Sequence, residues 1–114
     1  MIDPVVEDAV NALGDQLQRL RAVLETCGEA GDSDEVHDAE EAVCLAVRFA
    51  LALFLPAWVD SGCEYDQELT DRLRGYVKEA VNALPADTDY FRSVSERQQE
   101  LESFLTGKKE SLLL

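Results

Sequence analysis

The sequence has 114 residues, enough for one domain with a buried core that needs no disulfide or structural metal. Its hydrophobic fraction of 46% and charged fraction of 30% are typical of a globular chain and exclude intrinsic disorder. The net charge of −14 disfavours direct binding to nucleic acid or to an anionic membrane, and it favours a basic protein surface as partner.

The negative charge is concentrated in one segment. Between Glu25 and Glu41 the sequence has eight acidic residues and no Lys or Arg. We therefore expect one acidic end of the molecule rather than a uniformly charged surface. Adaptation to a salt-loving host would also produce an acid-rich, lysine-poor chain, and this alternative remains open.

The cysteines and the N-terminal segment indicate a cytoplasmic protein. Cys27, Cys44 and Cys63 are widely spaced and form no CxxC pair, so we expect reduced, buried thiols. The segment MIDPVVED is acidic and has no apolar run, which does not fit a signal peptide.

Helix 1 is predicted to begin at Asp3-Pro4, with Asp3 as N-cap and Pro4 as the first helical residue, and to end at Gly28. Gly14 weakens this helix by roughly 1 kcal/mol relative to Ala and would allow a neighbouring helix to approach closely. Apolar residues recur every three or four positions, which is the spacing of a coiled-coil or bundle seam. They are Val6, Val10, Leu13, Leu17, Leu20, Leu24 and Cys27.

This seam allows two packings. It either packs within one chain or pairs with a second copy in a homodimer. The dimer seam would consist of Val10, Leu13, Leu17, Leu20 and Leu24.

Helix 2 is predicted to begin near Asp32-Ser33, with Glu35 completing a capping box, and to run to about Leu55, before Pro56. Its second half, AVCLAVRFALALFL, is apolar on nearly all sides. We therefore expect helix 2 to be the buried central element of the fold.

Two residues of this region have alternative interpretations. Arg48 makes a membrane span unfavourable; it reaches water along a polar stripe or, alternatively, forms a buried ion pair. Trp58 either covers the end of the core or anchors an interface.

Helix 3 is predicted from about Asp66 to Leu84, before Pro85. Helix 4 is predicted to follow a cap at Asp87 or Thr88 and to stop at Gly107. The sequence thus predicts an all-α protein, an up-and-down four-helix bundle, with residues 1–107 as one helical domain and 108–114 as a short tail.

The acidic segment around the start of helix 2 is the strongest functional candidate. Carboxylates in a first helical turn suit the helix dipole, but the dipole accounts for two or three of them rather than eight. The remaining carboxylates favour an electrostatic docking surface for a basic partner. The candidate partner-binding residues are Asp32, Asp34, Glu35, Asp38, Glu40 and Glu41.

Metal and cofactor chemistry is not favoured. Asp34, His37 and Glu41 share one helical face, but a di-iron site needs a second His-containing motif, and His37 is the only histidine. The three cysteines with His37 match no zinc spacing. We therefore expect no metal and no cofactor.

One enzyme class stays open as an alternative. All-α nucleotide pyrophosphohydrolases hold Mg²⁺ with carboxylates in an EExxE…ExxD pattern. Glu40-Glu41 and, downstream, Glu68 and Asp71 could supply parts of it. The third Glu of the first motif is missing, because Cys44 occupies that region with Leu45.

The sequence therefore predicts a non-enzymatic acidic interaction module, such as an inhibitor, immunity protein or chaperone that docks on a basic protein surface, with imitation of nucleic-acid charge as one option. The alternatives are the Mg²⁺-dependent enzyme and a structural homodimer subunit.

Overall fold

The computed structural model describes residues 4–27, 34–60 and 66–113. These residues form four helices and no strand, which confirms the all-α fold class for this part of the chain. The helices are α1 (Pro4–Cys27), α2 (Asp34–Asp60), α3 (Gln67–Ala83) and α4 (Asp89–Leu113).

Side-chain caps fix the starts of α3 and α4 where the sequence predicts them. The Asp66 carboxylate accepts a hydrogen bond from the backbone N–H of Leu69 at 2.7 Å. The Thr88 hydroxyl accepts one from the N–H of Phe91 at 3.2 Å, so Thr88 rather than Asp87 caps α4. The predicted signals at Asp3, Gly28, Asp32 and Ser33 lie outside the described residues.

Two predicted helix ends are wrong. Helix α2 continues through Pro56 to Asp60, and α4 continues through Gly107 to Leu113. Pro56 lies on the exposed side of α2, where the carbonyl that loses its N–H partner can face water. In α2 the added turn also buries Trp58 against the core. In α4 the single residue Gly107 costs the helix only about 1 kcal/mol, which does not end it.

The four helices form two antiparallel hairpins, α1–α2 and α3–α4. Helix α1 packs more extensively against α2 than any other two helices pack against each other, and α3 packs against α4. The side chains of Arg74 and Glu102 join α3 to α4 at 2.7 Å. Within the described residues α2 and α3 meet only briefly, and α1 does not contact α4.

The hairpins lie side by side in the same orientation, so α2 runs parallel to α4 and α1 runs parallel to α3. Near its start α2 faces Tyr90, and near its end Trp58 packs on Phe104 with ring centroids 5.6 Å apart. On the other side, Arg72 donates a hydrogen bond to Asn11 at 3.0 Å, and Arg21 pairs with Glu79 further along. This arrangement is compatible with a bundle in which α2 is the central helix.

Helix α2 is buried along one side only. Its buried residues recur every three or four positions from Val36 to Trp58 and include Val43, Val47 and Phe54. The opposite side is exposed, with Leu45 and Phe49 more than half accessible to solvent. The sequence predicts a buried central helix, and the structure limits that burial to one face, because the other three helices cover only that face.

Gly14 allows the close approach that the sequence predicts. The ring of Tyr76 on α3 lies over it, and a Cβ placed on Gly14 would be 2.8 Å from the ring carbon Cζ. Gly75 on α3 is different, because a Cβ there would meet nothing within 4 Å.

These two glycines give a matched test of the α1–α3 contact. Gly75→Ala should raise the free energy of unfolding by roughly 1 kcal/mol, because Ala favours the helix and has free space. Gly14→Ala gains the same propensity but must displace the Tyr76 ring, so it should gain clearly less or lose stability. Urea unfolding followed by circular dichroism measures both, and equal gains would contradict the close contact.

The one-sided burial of α2 gives a second test. Phe54→Ala should lower the free energy of unfolding by about 3–5 kcal/mol, because Phe54 is fully buried. Phe49→Ala, on the exposed side of the same helix, should change it by less than about 0.5 kcal/mol. Similar losses from the two variants, measured by urea unfolding, would show that the exposed side of α2 is packed.

Candidate interaction surface

The acidic candidates on α2 divide into exposed and buried side chains. Asp34, Glu35, Asp38 and Glu41 are exposed. Glu40 is only 3% exposed, so the structure removes it from a surface that a basic partner could reach. Asp32 lies outside the described residues. We call the exposed residues Asp34, Glu35, Asp38 and Glu41 the acidic patch.

The basic residues of the described helices are mostly engaged elsewhere. Ion pairs join Arg21 to Glu79, Arg72 to Glu68, Arg74 to Glu102, Arg92 to Asp89 and Arg97 to Glu100. In the described part of the chain no Lys or Arg lies within ion-pair distance of Asp34, Asp38 or Glu41. Those basic side chains therefore do not neutralise Asp34, Asp38 or Glu41.

Helix dipoles explain only part of the acidic patch. Because α2 runs parallel to α4, the N-termini of both helices lie at the same end of the molecule. Asp34 and Glu35 are in the first turn of α2, and Asp89 is in the first turn of α4, where negative charge is stabilised. Asp38 and Glu41 lie beyond the first turn, so the dipole does not account for them.

Glu40 is buried close to the acidic patch. Its Oε1 is 3.6 Å from Nδ1 of His37, whose side chain is half exposed. Burial raises the pKa of Glu40 above its usual value, and a positive charge on His37 acts in the opposite direction. This buried carboxyl group therefore favours its neutral form more than a surface glutamate does.

Tyr90 brings the start of α4 against the acidic patch. Burial raises the pKa of the Tyr90 hydroxyl, and Glu41, Glu40, Cys44 and Asp38 of α2 raise it further. A phenolate beside these carboxylates would be repelled, so the hydroxyl keeps its proton and can donate a hydrogen bond. The sequence reasoning missed Tyr90, because nothing in the sequence pairs the start of α4 with the start of α2.

An apolar stripe continues the exposed side of α2 beyond the acidic patch. We call it the outer stripe; its members are Leu45, Phe49, Ala52, Pro56 and Val59. Their spacings of four, three, four and three residues place them on one helical face. The sequence reasoning missed this stripe as a surface, although its spacing is as regular as that of helix 1.

A shallow groove between α2 and α4 borders the outer stripe. Its volume is about 380 Å³, and Ala52, Leu55 and Pro56 line one side while Arg97 and Glu100 line the other. Arg48 also borders this groove and is exposed, which fits a side chain that reaches water rather than a buried ion pair.

The described helices do not bring together those alternative metal ligands that they contain. Among the described residues no group of three or more His, Cys, Asp or Glu side chains could hold a metal ion. The carboxylates considered for a pyrophosphohydrolase lie at opposite ends of the molecule. Glu41 is near Tyr90 at the start of α4, whereas Glu68 is at the start of α3, which packs antiparallel to α4.

The residues predicted to form a dimer seam are packed in the core of a single chain. Val10, Leu13, Leu17 and Leu20 are fully buried among the other helices, and Leu24 is half buried against the core. In this fold the seam therefore offers little surface to a second copy. Trp58 is buried as well, which fits the interpretation that it covers the end of the core.

Cys44 is buried and has a free thiol, as expected. Cys63 and the side chain of Cys27 lie outside the described residues.

Helix α2 is long and apolar enough to cross a membrane, by length and composition only. The core helix of a soluble protein satisfies the same criteria, so this is weak support for a membrane span. Only 39% of its most apolar stretch is buried, in line with the exposed outer stripe.

Comparison with protein-family models, with curated proteins and with solved structures finds no match to this chain.

The buried Glu40 should make stability depend on pH. A pKa raised by folding means that the folded state holds the proton more tightly, so stability falls as pH rises from the usual glutamate pKa through the raised one. Glu40→Gln should remove this loss, so the stability of the variant relative to the wild type should rise between pH 4 and pH 8. The measurement is urea unfolding between pH 4 and pH 8.

Glu41→Gln is the matched control, because it removes the same formal charge from an exposed neighbour. If both variants changed stability equally across this range, overall charge rather than burial at Glu40 would be the cause.

Proposed function

We propose that this chain is a non-enzymatic interaction module, of the inhibitor, immunity-protein or chaperone kind, that docks the acidic patch on a basic protein surface. One observation carries the proposal. Asp38 and Glu41 are exposed, lie beyond the reach of the helix dipole and have no Lys or Arg at ion-pair distance in the described residues.

The fold supports this use of α2. We propose an up-and-down bundle in which α2 is the central support, since α2 contacts α1, α4 and α3. A long helix held along one face presents the opposite face as a rigid edge. Side chains on such an edge lose little conformational freedom on binding, which favours affinity.

The proposed mechanism combines electrostatic steering with steric blocking. A net charge of −14 attracts a basic surface over about one Debye length, which is roughly 8 Å at physiological salt. Once in contact, the acidic patch pairs with Arg or Lys of the partner, and the bulk of the bundle covers the surrounding surface. The charge contribution should therefore affect mainly the association rate.

The test compares two variants with the same change in net charge. Asp38→Lys with Glu41→Lys reverses the acidic patch, and Asp8→Lys with Asp15→Lys reverses two exposed acids of α1. Binding of a labelled oligolysine peptide is followed by fluorescence anisotropy at low and at physiological salt. The patch variant should weaken binding roughly tenfold, and the α1 variant should weaken it far less.

Equal weakening by the two variants would mean that only total charge matters, and the proposed docking site would be wrong. Circular dichroism of both variants verifies that the helices are intact. Neither pair lies in the first turn of its helix, so loss of dipole stabilisation does not complicate the comparison.

A further inference from the structure

The outer stripe is an unpartnered apolar face on a helix whose other side is already packed. Leu45 is 53% and Phe49 60% exposed, and Val59 is exposed too. Isolated exposed apolar residues are ordinary, but these recur at heptad-like spacing along four helical turns. Such a face is suited to contact a second helix along its length, rather than a flat or irregular surface.

The acidic patch and the outer stripe form one continuous surface. Asp34, Asp38 and Glu41 precede Leu45 at spacings of four, three and four residues, so they share its helical face. This face of α2 is thus acidic over its first two turns and apolar after that, with the exposed Arg48 beside the apolar part and Asp60 at its end. A matching partner has basic residues at one end and apolar residues along the rest.

A second copy of this chain does not fit this surface electrostatically. A parallel pairing of two α2 helices sets Asp38 against Asp38. An antiparallel pairing centred between Phe49 and Ala52 sets Glu41 against the Val59–Asp60 end of the other copy, which carries the exposed carboxylate of Asp60 and no Lys or Arg. Both pairings bring carboxylates together between two chains that each carry a net charge of −14.

We propose that the outer stripe and the acidic patch together bind an amphipathic helix of another protein, apolar along one stripe and rich in Arg or Lys at its C-terminal end. This inference rests on the proposed function and specifies its partner. The basic end is assigned to the C-terminus because Lys and Arg stabilise the last turn of a helix. The partner helix then lies antiparallel to α2, with its basic end on Asp38 and Glu41.

The groove beside the stripe gives this partner a second contact. An apolar side chain on the edge of the partner helix can enter between Leu55 of α2 and the Arg97–Glu100 pair of α4. Pro56 has no N–H to donate to the Ala52 carbonyl, which leaves a hydrogen-bond acceptor on the stripe. A Lys, Arg or Ser of the partner can donate to that oxygen.

The experiment uses the full-length protein and three synthetic peptides of identical composition. The first has Leu at heptad spacing and Lys and Arg at its C-terminal end, and the second has the basic residues at its N-terminal end. The third has the same residues scrambled so that no apolar stripe forms. Titration calorimetry should give the order first, second, third, with at least a roughly tenfold difference between first and third.

A stripe variant separates this inference from the proposed function. Leu45→Ser with Phe49→Ser should weaken the first peptide roughly tenfold or more and leave oligolysine binding unchanged, because both residues are exposed and carry no charge. Val5→Ser, which removes an exposed apolar residue of α1, is the control and should change neither affinity.

The outcomes are distinguishable. If oligolysine binding responds to the Asp38/Glu41 variant but the three peptides bind equally, the inference fails and the proposed function stands. If oligolysine binding does not respond to that variant, the proposed function fails, and the basic end of the proposed partner fails with it.

Two further measurements cover other occupants of the stripe. A wild-type dimer in analytical ultracentrifugation that the Leu45/Phe49 variant converts to a monomer would assign the stripe to a second copy. Stripe-dependent binding to vesicles of phosphatidylcholine and phosphatidylglycerol would assign it to a lipid surface. Either result would overturn the inference.

Discussion

Burial of a single face of α2 joins the two helical hairpins into one core. Val43, Val47 and Phe54 are completely buried in the core that α1, α3 and α4 share with this helix. Apolar burial at about 25 cal/mol per Å² is the main favourable term in folding, so this face contributes much of the stability of the fold. The same packing determines which side of α2 remains in water. The candidate surface is the side of α2 that this packing leaves exposed.

The charges follow the same division. Ion pairs join α1 to α3 through Arg21 and Glu79, and α3 to α4 through Arg74 and Glu102. The exposed side of α2 has carboxylates without such partners in the described residues, and Glu40 shows what burial does to one of them. Burial in the core raises the pKa of a carboxyl group, whereas carboxylates on the exposed side of α2 are available for intermolecular contacts.

Sequence periodicity predicted the elements and much of the core, because apolar spacing and caps depend on neighbouring residues. The α1 seam and the caps at Asp66 and Thr88 are examples. The helix ends at Pro56 and Gly107 were mispredicted: burial of Trp58 offsets the local cost of Pro56, and a single Gly costs a helix only about 1 kcal/mol. Composition alone also could not show that the apolar circumference of α2 would be covered on one side only.

The sequence predicted the negative charge of the candidate site, but it could not predict which residues belong to the site. Asp34, Glu35, Asp38 and Glu41 are exposed, but the burial of Glu40 and the approach of Tyr90 depend on how α4 packs against α2. That packing joins residues about fifty positions apart in the sequence, beyond the reach of any local pattern.

The two seams between the hairpins differ in physical character. On the α1–α3 side the contacts include the Arg21–Glu79 ion pair and the hydrogen bond between Arg72 and Asn11, whereas on the α2–α4 side Trp58 packs on Phe104. Dissolved ions weaken exposed charge pairs and leave aromatic packing largely intact. Concentrated salt should therefore weaken the charged contacts between α1 and α3, while the Tyr76 ring on Gly14 and the aromatic pair between α2 and α4 stay packed.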